Sequence, residues 1–183
     1  MIRTFIALPI PDDIKDILSE TIVALRSRNS SVKWVKPDNI HLTLKFLGDI
    51  EQDLVKSIST ELDRTAEHFT EFDLVISDLG VFPGMKRPRV VWAGLHGDTD
   101  LIITMASQVD AMCARFGIKS DKRPFSPHIT LGRLKMPSMV DLDIRLKEKS
   151  FRAKEVIFYR SELLPQGARY TILHTSNLGH KGG

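Results

Sequence analysis

The chain has 183 residues, 42% of them hydrophobic, and its 26 basic and 23 acidic residues give a formal net charge of +3. This length and composition suffice for one sizeable hydrophobic core and exclude a largely disordered chain. The single cysteine, Cys113, excludes an intramolecular disulfide framework and a zinc site built from several cysteines. We expect Cys113 to be a buried, inert thiol on the apolar face of a helix.

The first ten residues form an apolar run that Arg3 and Pro9 interrupt. This run is too short to span a membrane and lacks the layout of a signal peptide. We therefore expect a cytoplasmic protein without a membrane partner. Disorder is expected only in the glycine-rich tail, residues 179–183.

The first half of the chain predicts a strand, a helix, two further extended segments and a second helix. The first strand covers residues 4–8, and Asp12 or Asp13 can begin the helix that follows. A short extended segment covers residues 32–35, and a strand runs from His41 to Gly48. Apolar residues recur at helical spacing in both helices: Ile14, Ile17, Leu18, Ile22 and Leu25 in the first, and Leu54, Val55, Ile58 and Leu62 in the second.

The second half repeats this kind of order. Residues 72–82 and 90–95 predict a long hairpin, and a third helix follows that Gly117 can end. A strand begins at His128, and two late strands cover residues 153–160 and 169–175. Apolar residues alternate over residues 140–146, which is compatible with either a strand or a short helix. The apolar positions of the third helix are Leu101, Ile102, Met105, Val109, Met112 and Phe116.

Many of the strands are neighbours in sequence and are joined by short loops, which favours antiparallel pairing. The strands that begin at His41 and His128 lie 87 positions apart (128 minus 41), close to half of the chain. We therefore predict one α+β domain over residues 1–183. It is bilobal and pseudo-duplicated, with two antiparallel β-sheets flanked by helices around a central cleft.

The strongest motif in the sequence is a histidine followed two positions later by a threonine, within an alternating apolar run. It occurs as His41–Leu–Thr43–Leu and again as His128–Ile–Thr130–Leu. Residues two apart on a strand point to the same face. We therefore expect both His–Thr pairs to line one cleft, with Lys45 on the same face as His41. The core side of the first copy is expected to carry Leu42, Leu44 and Phe46.

A single His-x-Thr pattern is weak evidence, since His68–Phe69–Thr70 also matches it. That third copy lies near the end of the second predicted helix, where residues two apart do not share a face. The strand pattern around His41 and His128 distinguishes these two copies.

Two histidines and two threonines suit the cleavage of a phosphodiester by water. A neutral and a protonated imidazole can take a proton from water and give one to the leaving oxygen. Threonine hydroxyls can donate hydrogen bonds to the non-bridging oxygens, on which charge must be stabilised. No carboxylate cluster accompanies the two strands, so this chemistry requires no metal.

The paired motifs resemble those of the two-histidine phosphoesterase superfamily, known by its HxTx motif. The chain as a whole resembles the RNA 2′,3′-cyclic phosphodiesterases, also called 2′-5′ RNA ligases. The similar stretches span nearly the whole chain: residues 3–7, Trp34, residues 41–48, residues 90–95 with Trp92, residues 124–133, residues 161–163, Gly167 and Tyr170.

The resemblance implies a hydrolase that opens a terminal 2′,3′-cyclic phosphate to a 2′-phosphate without a metal or cofactor. It implies that His41 is the proton donor and that His128 is the proton acceptor. Thr43 and Thr130 would bind the phosphate, and Arg133 could add a charge-assisted contact. Strict alternation turns Arg133 away from the cleft, although Gly132 can relax the strand.

Other residues keep two interpretations. Phe5, Trp34 and Tyr170 either stack on a base or pack in the core. Lys45 is either functional or a surface or ion-paired lysine. The basic stretches 86–89 and 119–123 are either solvated loops or a rim that attracts phosphate.

The expected partners are RNA ends that carry a 2′,3′-cyclic phosphate, tRNA fragments among them, and the expected state is a monomer. The same acid–base pair could also join such an end to a 5′-hydroxyl. One alternative is a phosphodiesterase for small cyclic nucleotides or 2′-5′ oligoadenylates. A second alternative is a protein that binds RNA ends without catalysis.

Overall fold

A computed structural model of the protein describes residues 1–180. Its elements in chain order are β1 (Ile2–Pro9), α1 (Asp12–Arg26), β2 (Val32–Trp34), a 3₁₀ turn (Pro37–Asn39), β3 (His41–Ile50), α2 (Leu54–Ala66), β4 (Phe72–Phe82), β5 (Val90–Gly97), α3 (Thr99–Ala114), β6 (His128–Leu134), β7 (Lys149–Ala153), β8 (Glu155–Leu164) and β9 (Gly167–Asn177). The three predicted helices and the predicted hairpin are confirmed.

The strands form two sheets in which all neighbours are antiparallel. The first sheet has the order β3-β1-β8-β9, and the second has the order β2-β6-β5-β4-β7. Each sheet therefore contains one of the two His-x-Thr strands, and these strands, β3 and β6, contact each other. The predicted bilobal α+β fold is confirmed.

The helices cover the sheets with the apolar faces that the sequence predicts, except that Leu101 near the start of α3 is exposed and Phe116 lies beyond its end. Helices α2 and α3 pack on each other, α2 also contacts β9, and α3 contacts β3. Helix α1 packs against β2 and the 3₁₀ turn. Each buried aliphatic side chain on these faces contributes roughly 1.5–3 kcal/mol to stability. Cys113 on α3 is buried, and burial raises its pKa to about 12, so its thiol remains protonated.

Residues 140–146 form neither a strand nor a helix, so both structures considered for them are wrong. Val140 and Leu146 are buried, which explains the apolar alternation without a partner strand. The side chain of Asn29 forms the backbone hydrogen bonds that a neighbouring strand would otherwise form with this segment. Its amide Nδ2 donates to the Asp141 carbonyl oxygen at 2.8 Å, and its Oδ1 accepts from the Asp141 N–H at 2.7 Å.

The end of the chain differs from the sequence prediction in two places. Strand β7 (Lys149–Ala153) pairs with β4 and was not predicted as a separate strand. Gly179, expected to be disordered, donates its N–H to the Phe69 carbonyl oxygen and accepts from the Glu71 N–H, both at 2.8 Å. His180, also expected to be disordered, has its Nδ1 3.1 Å from Glu71, and residues 181–183 lie outside the described residues.

Candidate active site

The first motif strand contains a β-bulge that changes which residues face the cleft. Ile6 of β1 lies opposite Lys45 and Ala7 lies opposite Thr43, so Leu44 is an extra residue on β3. An extra residue shifts the alternation of the side chains beyond it. Phe46 is accordingly 56% exposed and Lys45 only 2% exposed. The prediction that Lys45 shares the face of His41 while Phe46 lies in the core is wrong.

The second motif strand contains the same irregularity. Val91 of β5 lies opposite Gly132 and Trp92 lies opposite Thr130, so Leu131 is the extra residue on β6. Arg133 is therefore exposed on the side of Thr130, although strict alternation would have turned it away. The first seven residues of β3 and all seven of β6 show the same order of buried, partly buried and exposed side chains. Phe46 and Arg133 thus occupy equivalent positions, each five residues after its histidine.

Both candidate catalytic histidines are held in the same way. The Nδ1–H of His41 donates to the Asn39 carbonyl oxygen at 2.6 Å, and the Nδ1–H of His128 donates to the Ser126 carbonyl oxygen at 2.8 Å. In each case the acceptor lies two residues before the histidine. A bond at Nδ1 fixes the ring and leaves Nε2 as the nitrogen available for proton transfer.

His41 is uncharged in the free protein at neutral pH. Burial lowers its pKa from 6.5 to about 4, because a charged imidazole loses hydration there. The hydrogen bond to Asn39 opposes this change, whereas the charges of Arg133 and Lys15 add to it. A bound anion beside His41 would act in the opposite direction and favour its protonated form.

Aromatic rings surround His41 on the first sheet. The ring of Phe5 lies 4.8 Å from those of His41 and Tyr170 and 5.0 Å from that of Tyr159, centroid to centroid. Tyr170 in turn meets His41 edge-on at 5.3 Å. Phe5 is only 2% exposed, so a base cannot stack on it. Of the two interpretations for Phe5, the structure supports packing, as the floor beneath the other rings.

Rings also support His128 on the second sheet. Phe82 meets the imidazole edge-on with a centroid distance of 5.0 Å. Trp92 lies opposite Thr130 on β5, and its indole covers Gly80. A Cβ atom at Gly80 would lie 2.2 Å from the indole, so only glycine fits there. Tyr159, Phe82 and Phe46 were not among the predicted site residues, because their proximity depends on strand pairing and on the bulge.

Trp34 lies on the side of β2 that packs against the core. It is opposite Gly132, where an added Cβ atom would come within 2.9 Å of the indole ring. Its partly buried side chain contacts the hydrophobic core. The structure thus assigns Trp34 a packing contact and does not place it among the rings around His41.

Lys45 is the centre of an ion-pair network behind the cleft. Its ammonium lies 2.5 Å from Asp110 of α3 and 3.1 Å from Asp121, and it donates to the Lys119 carbonyl oxygen at 2.8 Å. Burial disfavours its charge, but the hydrogen bonds to Asp110 and Asp121 outweigh this and raise its pKa. Of the interpretations considered for Lys45, the structure supports the ion-paired lysine, in a buried position.

The two lobes act on each other electrostatically at the cleft. The charge of Arg133 on β6 lowers the pKa of His41 on β3. Burial raises the pKa of Tyr170, and the charge of Arg133 opposes this change. Asn39, in the turn before His41, also donates to the Ala168 carbonyl oxygen at 2.8 Å, which ties this turn to the strand of Tyr170.

Two features are absent from residues 1–180. These residues contain no group of three or more His, Cys, Asp or Glu side chains that could hold a metal ion. They also contain no helix that is both long and apolar enough to cross a membrane.

Each of the two sheets contributes one His-x-Thr strand and these strands contact each other, which is the arrangement expected of a two-histidine phosphoesterase. The family model of the LigT like phosphoesterases matches residues 8–92 and 97–170. The chain therefore belongs to the LigT-like phosphoesterase family, which confirms the predicted resemblance and the prediction of a hydrolase.

Relatives and solved structures agree with this assignment. A Methanothermobacter thermautotrophicus protein named RNA 2′,3′-cyclic phosphodiesterase is 31% identical over 184 residues, covering 97% of this chain and 99% of its own length. The crystal structure of a Thermus thermophilus protein matches with a TM-score of 0.83 at 27% identity, over 98% of this chain and 100% of that one. Escherichia coli LigT, crystallised with 3′-AMP, matches with a TM-score of 0.80 at 30% identity, over 97% and 98% of the two chains.

Proposed function

We propose that this protein hydrolyses RNA ends carrying a 2′,3′-cyclic phosphate to 2′-phosphate ends, using two histidines and no metal. The main support is the matched pair of His-x-Thr strands, with each imidazole held at Nδ1 by the carbonyl two residues before it. The substrate class is inferred from relatives named RNA 2′,3′-cyclic phosphodiesterase.

In the proposed reaction, Nε2 of His128 takes a proton from water as the water oxygen bonds to phosphorus. The bond from phosphorus to the 3′ oxygen breaks, and Nε2–H of His41 protonates that oxygen. The phosphate remains on the 2′ oxygen, and the 3′-hydroxyl is restored. Each proton transfer is worth roughly 10²–10⁴-fold in rate.

The remaining candidate residues stabilise charge on the phosphate in this proposal. The hydroxyls of Thr43 and Thr130 donate to the non-bridging oxygens, and Arg133 adds a positive charge. Tyr170, partly exposed beside His41, is the remaining candidate for contact with the terminal nucleoside. A 5′-hydroxyl in the place of water would give a 2′-5′ linkage, so ligation uses the same groups. RNA ends, including tRNA fragments, are the proposed partners.

The test is hydrolysis of an RNA oligomer that ends in a 2′,3′-cyclic phosphate by His41→Ala and His128→Ala variants. Each variant should lose at least about 100-fold in kcat, because each removes one proton transfer. Product analysis should place the phosphate on the 2′ oxygen. His68→Ala is the matched control, since His68 belongs to the third His-x-Thr sequence, is exposed and lies outside β3 and β6.

Three outcomes would contradict parts of the proposal. Unchanged turnover in either cleft variant would refute the acid–base assignment. RNA-end binding by the wild type without any turnover would favour the non-catalytic alternative. Equal efficiency on a mononucleoside cyclic phosphate and on an RNA oligomer would favour the small-nucleotide alternative.

A further inference from the structure

A groove of about 420 Å³ runs along the edge of the second sheet, beside β2 and the end of β6. We call it the β2–β6 groove. Arg133 is among its lining residues, and the charge of Arg133 also lowers the pKa of His41, so the groove and the candidate site share this cation. Its lining includes Ser30, Lys33, Arg133, Lys135, Met136 and Ser138.

The β2–β6 groove concentrates positive charge that the protein does not neutralise. Lys33, Arg133 and Lys135 line it together, and no acidic residue of the described chain does so. None of the three forms an ion pair with a residue in the range 1–180, so the charge that they bring together in this groove is not neutralised there. Unpaired cations in one groove favour an anionic ligand.

The groove also contains a buried hydroxyl without a partner. Oγ of Ser138 is inaccessible to solvent and makes no hydrogen bond within residues 1–180. Leaving such a group unsatisfied costs roughly 1–3 kcal/mol, so a native hydroxyl of this kind calls for a partner. Ser138 as a residue is only partly buried and lines the groove, so a rotation about its Cα–Cβ bond would bring this hydroxyl to an oxygen of a bound phosphate.

The spacing of the cations suits a chain of phosphates rather than a single anion. Lys33 lies directly opposite Arg133 in the β2–β6 pair, and Lys135 follows Arg133 by two residues. Lys135 lies just beyond β6, which ends at Leu134. The three cations are thus spread over two neighbouring strands and the segment after β6 rather than gathered at one position. Met136, which is 77% exposed, adds an apolar surface beside it.

We propose that the β2–β6 groove binds the phosphodiester backbone of the nucleotides that precede the cyclic phosphate. This deepens the proposed function and rests on it, since it makes the substrate an oligonucleotide rather than a mononucleotide. Arg133 serves the terminal phosphate, while Lys33, Lys135 and Ser138 hold the preceding phosphates.

The test compares Lys33→Gln/Lys135→Gln with a matched control, Lys147→Gln/Lys154→Gln. The control removes two exposed lysines next to β7, at the opposite edge of the second sheet. The kcat/KM for a hexanucleotide ending in a cyclic phosphate is divided by that for a mononucleoside cyclic phosphate. This ratio does not depend on the fraction of folded protein. It should fall about tenfold in the groove variant, equivalent to about 1.4 kcal/mol, and remain unchanged in the control.

Binding is measured separately from turnover by fluorescence anisotropy of the labelled hexanucleotide in a His128→Ala background. The slope of log affinity against log salt concentration should decrease by about 1.4 in the groove variant, roughly 0.7 for each lost phosphate contact on a single strand. Ser138→Ala should weaken hexanucleotide binding without lowering the free energy of unfolding, because its hydroxyl has no partner within residues 1–180.

The outcomes separate this proposal from the proposed function. Normal hydrolysis with an unchanged ratio and salt slope in the groove variant would overturn the groove proposal and leave the proposed function intact. Groove-dependent binding without hydrolysis by the wild type would refute the proposed function alone. Groove-dependent binding of a polyglutamate peptide, with no effect on RNA, would overturn the groove proposal in favour of an acidic protein partner.

Discussion

The free protein holds His41 uncharged, although the proposed mechanism requires this residue to donate a proton. Its burial among aromatic rings lowers its pKa to about 4. A phosphate anion in the cleft would favour the charged imidazole and offset the effect of burial. Binding of the substrate would then favour protonation of His41, and this residue could donate a proton only when the cleft is occupied.

This account can be checked by NMR titration of the His41 ring protons. In the free protein we expect a midpoint near pH 4, and with bound 2′-AMP a midpoint close to or above the ordinary value of 6.5. A Thr43→Val variant, in which the phosphate is held less well, should show a smaller increase. A ring that remains neutral at about pH 6 in the complex would contradict the donor role and favour an exchange of roles with His128.

The sequence could predict the facing of side chains only for the residues that precede the two β-bulges. His41 and Thr43, like His128 and Thr130, follow strict alternation, so their shared faces could be predicted. Phe46 and Lys45 lie beyond Leu44, where the pairing of β3 with β1 shifts the register. This shift arises between strands distant in sequence, and alternation within one strand cannot reveal it.

At the level of elements, most strands and all three helices were predictable, because each has a continuous apolar face. The segment 140–146 was not, since its apolar residues contact the core without a partner strand. Strand β7 was missed for a related reason. It is an edge strand of five residues, and its pairing with β4 depends on tertiary contacts.

Strand β3, helix α3 and the loop before β6 are joined by Lys45. Removal of its charge in Lys45→Met would leave Asp110 and Asp121 facing each other without a counterion. We expect the free energy of unfolding to fall by about 2 kcal/mol at neutral pH, less than for a fully buried pair because both carboxylates are partly exposed. Lys149→Met, which breaks an exposed pair with Asp13, should cost less than about 0.5 kcal/mol.

The pH dependence of this effect has a definite sign. Burial tends to raise the pKa of Asp110, but its bonds to Lys45 and to the Asp121 N–H lower it below 3.8. The stabilisation is therefore complete above the ordinary Asp pKa and is lost as the pH falls through the folded-state value. Urea titrations of the wild type and of Lys45→Met at a series of pH values should show that the difference in their free energies of unfolding narrows below about pH 4. A difference that widens in acid would contradict the assigned network.

At the scale of the whole molecule, the proposed mechanism takes its acid, its base, two hydroxyls and a cation from side chains of the two lobes alone. We therefore expect hydrolysis of a cyclic-phosphate RNA end to continue at an undiminished rate after dialysis against EDTA. The control is the same preparation with added Mg²⁺ or Zn²⁺, which should not be faster. Loss of activity with EDTA and recovery with a divalent cation would contradict the metal-free mechanism.

The matched bulges have a consequence for the product. A five-membered cyclic phosphate has two ring oxygens, either of which can depart, and a perfectly twofold site would accept the ring in both senses. Here the fifth position after each histidine differs: an apolar ring, Phe46, on one side and a cation, Arg133, on the other. This difference breaks the pseudo-symmetry, and under the proposed mechanism the substrate would enter in one sense and hydrolysis would yield a single regioisomer.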